Sequence, residues 1–272
     1  MSVARIKTVT IAILLFINVF FLAVIIRDTV ADARGERQAL ADVCTVLSNS
    51  GISLDPENIK TAGAIKMMRT ARSLDSEATI ARAVLGDAEV TEGAIYRYVS
   101  EGRGTAEFSS AGNFEIQLSA GTFTDSGNAV KAVKKLLRSM KIETSEILET
   151  DGDTVAAVCA YGGVSIFNCT IEFTFSGGSL VTIVGKNITG VEAADNTMSI
   201  STPGTVLLGF LASVLEGDVV CTSIEGIEAG YQHHIAGSFG EGVISPAWLI
   251  NTDSGRYIVD DASGEILSRQ TG

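Results

Sequence analysis

Residues 153–175 read DTVAAVCAYGGVSIFNCTIEFTF, and this stretch predicts the centre of the fold. Two runs rich in β-branched and aromatic residues, Asp153–Tyr161 and Val164–Phe175, flank the pair Gly162-Gly163. A glycine pair supplies the positive φ angles of a two-residue hairpin turn, so the stretch predicts two antiparallel strands. The odd positions of the second run form one apolar face: Phe167, Cys169, Ile171, Phe173 and Phe175.

The same hairpin predicts that its cysteines do not pair. The chain has four cysteines: Cys44, Cys159, Cys169 and Cys221. Their even number is the only argument for disulfides. In a regular hairpin Cys159 lies opposite Ile166. Cys169 lies opposite Ala156, so alternation sends the two thiols to opposite faces of the sheet and we expect free, buried cysteines.

Helices followed by antiparallel strands occur on both sides of the hairpin. Predicted helices cover Glu36–Leu47, Ser76–Leu85, a segment after the cap Asp125-Ser126-Gly127, and Val206–Leu215 after Thr202-Pro203. Predicted strands cover Ala94–Ser100, Thr105–Phe108, Asn113–Leu118, Leu180–Val184, Val219–Ile224, Ile227–Ala236, Ala247–Asn251, Tyr257–Val259 and Glu265–Leu267. The repeated order predicts an α+β domain of two related halves, each a helix packed on antiparallel strands.

The third helix is amphipathic. Its apolar stripe is Val130, Val133, Leu137 and Met140. The opposite face carries four cations: Lys131, Lys134, Lys135 and Arg138. This basic face is either a solvated helix surface or a contact site for anionic lipid headgroups or an acidic partner.

An apolar run, Val9–Ile26, precedes the domain and holds no charged residue. At 1.5 Å per residue a helix of this run would reach roughly 27 Å, close to a bilayer core of ~30 Å. The run predicts a single N-terminal transmembrane helix. A cleaved signal peptide ending at Ala31-Asp32-Ala33 is the alternative, but the run is longer than a usual signal core. Asn18 is the candidate polar contact with another membrane helix.

The predicted organisation has five parts. They are an N-terminal segment (1–8), the transmembrane helix (9–26), a juxtamembrane stalk helix (27–50), a first α+β half (51–190) and a second half (191–272). The net charge of −12 disfavours nucleic-acid binding, because an acidic surface repels polyphosphate.

Motifs for catalysis, cofactors or metals are missing from the sequence. It holds no G-x-S-x-G elbow and no phosphate-binding loop. His233-His234 point to opposite faces of a predicted strand, so they are read as strand or surface histidines. Residues 260–264, DDASG, are read as a turn, and the sequons at Asn168 and Asn187 receive little weight. We therefore predict a non-enzyme with no cofactor and no metal.

Both ends of the chain resemble the YycH/YycI family. The start, ARIKT at residues 4–8 leading into the apolar run, is similar to the basic opening of that family. The end resembles the Pro-Ala-Trp strand and tyrosine hairpin of YycI, through SPAWLI at 245–250 and GRYIVDDASGE at 255–265. The motif residues are Pro246, Trp248, Tyr257, Gly264 and Glu265. The hairpin is also shared with small PepSY-type domains.

The resemblance implies a regulator anchored in the cell membrane by a single span, with the N-terminus cytoplasmic and the bulk of the chain extracytoplasmic. Its implied partners are the lipid bilayer, a sensor histidine kinase of a two-component system that controls cell-wall metabolism, and a second YycH/YycI-type protein. The alternative is a PepSY-like anchored binder or inhibitor of an envelope hydrolase or of a cell-wall ligand. Both functions are non-catalytic, and they differ in the partner that co-purifies.

Overall fold

A computed structural model describes residues 35–62, 65–93, 95–109, 112–124, 127–150, 152–193, 200–235, 241–261 and 263–270. The predicted span 9–26 and its Asn18 lie outside the described residues. Across the described ranges, no helix combines the length and apolarity that crossing a bilayer requires.

Sixteen described strands share one sheet. They are β1 (Ser53–Leu54), β2 (Ile59–Lys60), β3 (Met68–Thr70), β4 (Glu89–Thr91), β5 (Ile95–Ser100), β6 (Gly104–Ser109), β7 (Asn113–Leu118), β8 (Thr144–Glu149), β9 (Thr154–Tyr161), β10 (Val164–Ser176), β11 (Ser179–Lys186), β12 (Glu192–Ala193), β13 (Ser223–Ile235), β14 (Gly242–Thr252), β15 (Gly255–Asp260) and β16 (Ile266–Gln270).

The sheet has two sections that differ in topology. The meander section is antiparallel throughout, in the order β4-β5-β6-β7-β11-β10-β9-β8. The C-terminal section runs β12-β3-β14-β13, with β15 and β16 added beside β14. Strands β1 and β2 pair with β13 in parallel, so residues from the start of the domain complete its C-terminal section.

A short parallel contact between β10 and β13 joins the sections. Its one backbone pair is Ile166 with Tyr231. The Asn168 side chain extends this contact: its amide nitrogen donates to the His233 carbonyl at 2.8 Å, and its amide oxygen accepts from the His233 N–H at 2.9 Å. The side chain thus takes the place of a peptide group, and the Asn168 sequon lies at this junction between the sections.

The predicted fold class is wrong. The described residues form one large mixed sheet with parallel pairs, in place of two related halves that each carry one helix on antiparallel strands. The main core is also continuous, since a single cluster of buried side chains runs from Val43 to Val259. Hydrophobic alternation predicts where strands occur, but it does not specify which strands pair at long range.

Four helices cover the sheet within the described residues. They are α1 (35–49), α2 (Leu74–Leu85), α3 (Ala129–Met140) and α4 (Pro203–Glu216). The predicted start of α4 at Thr202-Pro203 is confirmed, because Thr202 is the N-cap and accepts from the Thr205 N–H. Gly217 ends the helix in the left-handed region. Its outer face is apolar but open to solvent, since Leu208 is 47% and Leu215 is 72% exposed.

Helix α3 begins at a different cap from the predicted one. The N-cap is Asn128, whose side-chain oxygen accepts from the Lys131 N–H at 2.7 Å, and not the predicted 125–127 segment. The helix ends at Lys141, which has φ +58 and is the one described non-glycine residue with positive φ. A side chain in this conformation costs roughly 1 kcal/mol relative to glycine.

Replacing Lys141 with glycine should therefore stabilise the protein. We expect Lys141→Gly to raise the free energy of unfolding by ~0.5–1 kcal/mol, because glycine adopts the left-handed region without a Cβ penalty. Urea denaturation followed by circular dichroism measures the change. Lys141→Ala keeps the Cβ and is the control, so an equal gain in both variants would contradict the backbone explanation.

Candidate binding site

The predicted basic face of α3 is present and exposed. Val133, Leu136, Leu137 and Met140 are buried at 1–2% exposure and anchor the helix. Their 3.6-residue spacing turns the four cations, Lys131, Lys134, Lys135 and Arg138, towards solvent. The predicted apolar stripe is therefore confirmed, except that Val130 is only half-buried and Leu136 joins the stripe.

These four cations line one groove, which we call the basic groove. Its volume is about 750 Å³, and its other walls come from Phe123, Thr124, Asn128 and Ala132. Phe123 contributes an aromatic ring just before the helix, and Ala132 leaves space between the long side chains. The groove therefore offers four positive charges and an apolar contact to one ligand.

The charges of the basic groove are not neutralised by described neighbours. Ion pairs among the described residues join Lys60 to Glu228, Arg72 to Glu77 and Arg97 to Glu107. Since no groove cation is among them, a ligand need not displace an acidic side chain of the described chain. The groove is therefore a local cluster of positive charge that attracts anionic groups, in a protein whose net charge is −12.

A second cavity of about 560 Å³ lies at the N-terminal turn of α2. Asp75, Ser76 and Thr79 line it on the helix side, and residues 187–191 form the opposite wall. Cys159 also lines it. The sequence does not predict this cavity, because its walls come from segments more than a hundred residues apart.

His233 and His234 differ in environment. His233 is 8% exposed, and its Nε2 lies 3.2 Å from the Thr70 hydroxyl, while its Nδ1 has no hydrogen-bond partner among the described residues. Burial, together with the nearby charges of Lys186 and His234, lowers the pKa of His233 to about 4. The reading as a strand histidine is confirmed for His233, and the surface alternative is wrong for this residue.

The five family-like residues have structural positions in the C-terminal section. Pro246 lies on β14 between the residues that pair with β3 and those that pair with β15. Neither of these two strands therefore requires a backbone N–H from Pro246. Trp248 and Tyr257 are buried at 1% and 2% exposure, and Tyr257 packs against Phe210 of α4. Gly264 has φ +72, and the Glu265 carbonyl accepts from the Asp260 N–H at 2.9 Å.

The two aspartates of the predicted acidic turn, Asp260 and Asp261, have different hydrogen-bond partners. Asp260 accepts from the Ser263 N–H at 2.8 Å, which is the expected turn chemistry. The buried Asp261 instead accepts from the Trp248 indole N–H and from the Ser201 N–H, both at 2.8 Å. Among the described side chains, no three His, Cys, Asp or Glu residues could hold a metal ion together.

Comparisons with known proteins leave the family open. No family model matches the chain, and no curated protein matches it. Among solved structures it is similar to an uncharacterized protein from Eubacterium rectale ATCC 33656, with 12% identity and a TM-score of 0.47 over 80% of this chain and 90% of that chain. The resemblance to the YycH/YycI family therefore stays a prediction.

Proposed function

We propose that the protein is a non-catalytic regulator that is held at the cell membrane by the apolar segment 9–26 and binds an acidic surface of a membrane partner. The observation that carries the proposal is the basic groove, with four exposed cations and no ion-pair partner among the described residues. The YycH/YycI resemblance supplies the partner, a sensor histidine kinase that controls cell-wall metabolism, acting together with a second protein of that type.

The free energy of binding that four exposed cations can supply is large enough for regulation. An exposed ion pair contributes ~0.5 kcal/mol, so four such pairs supply about 2 kcal/mol, or roughly a thirtyfold change in affinity. A binding difference of this size shifts an equilibrium between two kinase states that differ by a few kcal/mol. Binding through exposed charges also weakens as salt is raised.

Neutralising the groove should therefore release the partner. We expect the fourfold change of Lys131, Lys134, Lys135 and Arg138 to glutamine to reduce co-purification of the kinase with the full-length protein at least tenfold. The measurement is affinity purification from detergent-solubilised membranes, with the captured proteins identified by mass spectrometry.

A matched variant separates the groove from the overall charge. Exposed basic residues outside the groove provide the same change in charge: Lys60, Lys66, Arg69 and Arg82. Their replacement by glutamine should leave co-purification unchanged. Equal losses in both variants would reject the groove, whereas capture of an envelope hydrolase in place of a kinase would favour the PepSY-like alternative.

A further inference from the structure

Two buried thiols converge on one backbone oxygen. The Cys169 Sγ donates to the Lys186 carbonyl at 3.0 Å, and the Cys159 Sγ donates to the same oxygen at 3.5 Å. The adjacent Cys169 thiol is the main cause that raises the pKa of Cys159, followed by burial. Both residues are free in the structure, at 4% and 0% exposure.

The predicted separation of these thiols is wrong because the hairpin is irregular. Ser165 pairs with Ala160 as a regular hairpin requires, but the next pair is Thr170 with Val158. Residues 166–169 of β10 therefore lie opposite Cys159 alone. This bulge changes the alternation of side chains and brings Cys169 to the same face as Cys159.

We propose that Cys159 and Cys169 form an oxidisable dithiol, which closes to an intramolecular disulfide when a small disulfide reaches it through the cavity beside α2. Cys159 lines that cavity of about 560 Å³, so the first sulfur to react is the one with an entry path. Neither sulfur lines the basic groove, and the inference does not rest on the proposed function.

The reaction is two thiol–disulfide exchanges. The Cys159 thiol loses its proton, and its sulfur attacks one sulfur of the small disulfide, which forms a mixed disulfide and releases one thiol. The deprotonated Cys169 sulfur then attacks the Cys159 sulfur, which forms the Cys159–Cys169 bond and releases the second thiol. Two cysteines are oxidised, and the small disulfide is reduced to two thiols. The raised pKa of Cys159 makes the first exchange slow near neutral pH and faster at alkaline pH.

The test uses bis(2-hydroxyethyl) disulfide and the folded, full-length protein. After oxidation the sample is acid-quenched, unfolded, alkylated and cut with chymotrypsin, which cleaves after Tyr161 and Phe167 between the two cysteines. We expect a disulfide-linked pair of peptides that carry Cys159 and Cys169. Cys44 and Cys221 serve as internal controls and should not join this pair.

Two variants and a stability measurement complete the test. Cys159→Ser and Cys169→Ser should each abolish the linked peptides, and oxidation should raise the urea midpoint of the wild type but of neither variant. The proposal is overturned if the folded protein keeps both thiols alkylatable while the urea-unfolded chain forms the link. It is also overturned if oxidation lowers the wild-type midpoint, because the folded geometry then cannot accommodate the bond.

Discussion

Trp248→Ala should lower the free energy of unfolding by about 4 kcal/mol, the largest loss that we expect from a single substitution in this protein. Trp248 is among the largest fully buried side chains, at 1% exposure. Its removal leaves a cavity in the core and also removes the indole N–H that binds the Asp261 carboxylate at 2.8 Å. Both losses act together because the cavity and the buried carboxylate are adjacent.

The Trp248 contact joins the β14–β15 hairpin to the start of α4. Trp248 belongs to β14, Asp261 follows β15, and Ser201 precedes the N-cap of α4. The Ser201 N–H donates to the Asp261 carboxylate at 2.8 Å, and the Ser201 hydroxyl donates to the Asp261 backbone carbonyl at 3.0 Å. The carboxylate therefore holds α4 on the C-terminal section, and its loss should loosen the helix.

Variants separate the packing contribution from the hydrogen bond. Trp248→Phe keeps an aromatic ring but removes the N–H, so it should cost about 1.5–3 kcal/mol, as for hydrogen bonds to charged groups. Leu215→Ala is the control, because Leu215 is 72% exposed and should change stability by less than about 0.5 kcal/mol. Trp248 is the one tryptophan of the chain, so unfolding is followed by far-ultraviolet circular dichroism and not by fluorescence. A loss below about 1.5 kcal/mol for Trp248→Ala would contradict this role.

The protein should lose about 2 kcal/mol of stability between about pH 7.5 and pH 5 through His233 alone. Burial lowers its folded pKa to about 4, whereas the unfolded value is 6.5. The unfolded chain therefore binds more protons between these values. The stabilisation is complete above about pH 6.5, declines as the pH falls, and is lost below about pH 4.

Protonation of His233 is unfavourable in the folded state. The cation would lie near Lys186 and His234, whose charges lower its pKa further. Its Nε2 faces the Thr70 hydroxyl, and a Cβ at Gly242 would lie only 2.5 Å from that nitrogen. Protonation therefore places a charge in a tightly packed site with no described carboxylate bonded to it.

Matched histidine variants test this pH dependence. Urea denaturation at both pH values should give a difference that is smaller by about 2 kcal/mol in His233→Gln than in the wild type, while His234→Gln keeps most of it. The carboxylates of the chain titrate equally in all three proteins, so the comparison isolates His233. An unchanged difference in His233→Gln would assign the pH dependence to other groups.

Local features of the sequence predicted most elements correctly. The glycine pair at 162–163 forms the hairpin turn with positive φ at both residues. Strands β5, β6 and β7, the end of α2 at Gly86 and the start of α4 follow from turn and cap residues that act within a few positions. The basic groove was partly predicted, because helical spacing places its four cations on one face. The groove wall that Phe123 and Thr124 form was not predicted, because the path of the loop before α3 depends on tertiary packing.

What the sequence by itself determined is the four helices and the longer strands, together with the charged face of α3, because these depend on neighbours within one turn or one strand. Strands β1, β2, β3, β4, β8 and β12 were not predicted, and five of these six have only two or three residues, too few to show alternation. The tertiary structure alone decided the bulge in β10, the burial of His233 and the meeting of Cys159 with Cys169. Asn168 illustrates the reason: its amide is satisfied by the His233 backbone, 65 positions away. A buried amide must find hydrogen-bond partners wherever the fold supplies them, and here that contact accompanies a shift of the strand out of its regular register.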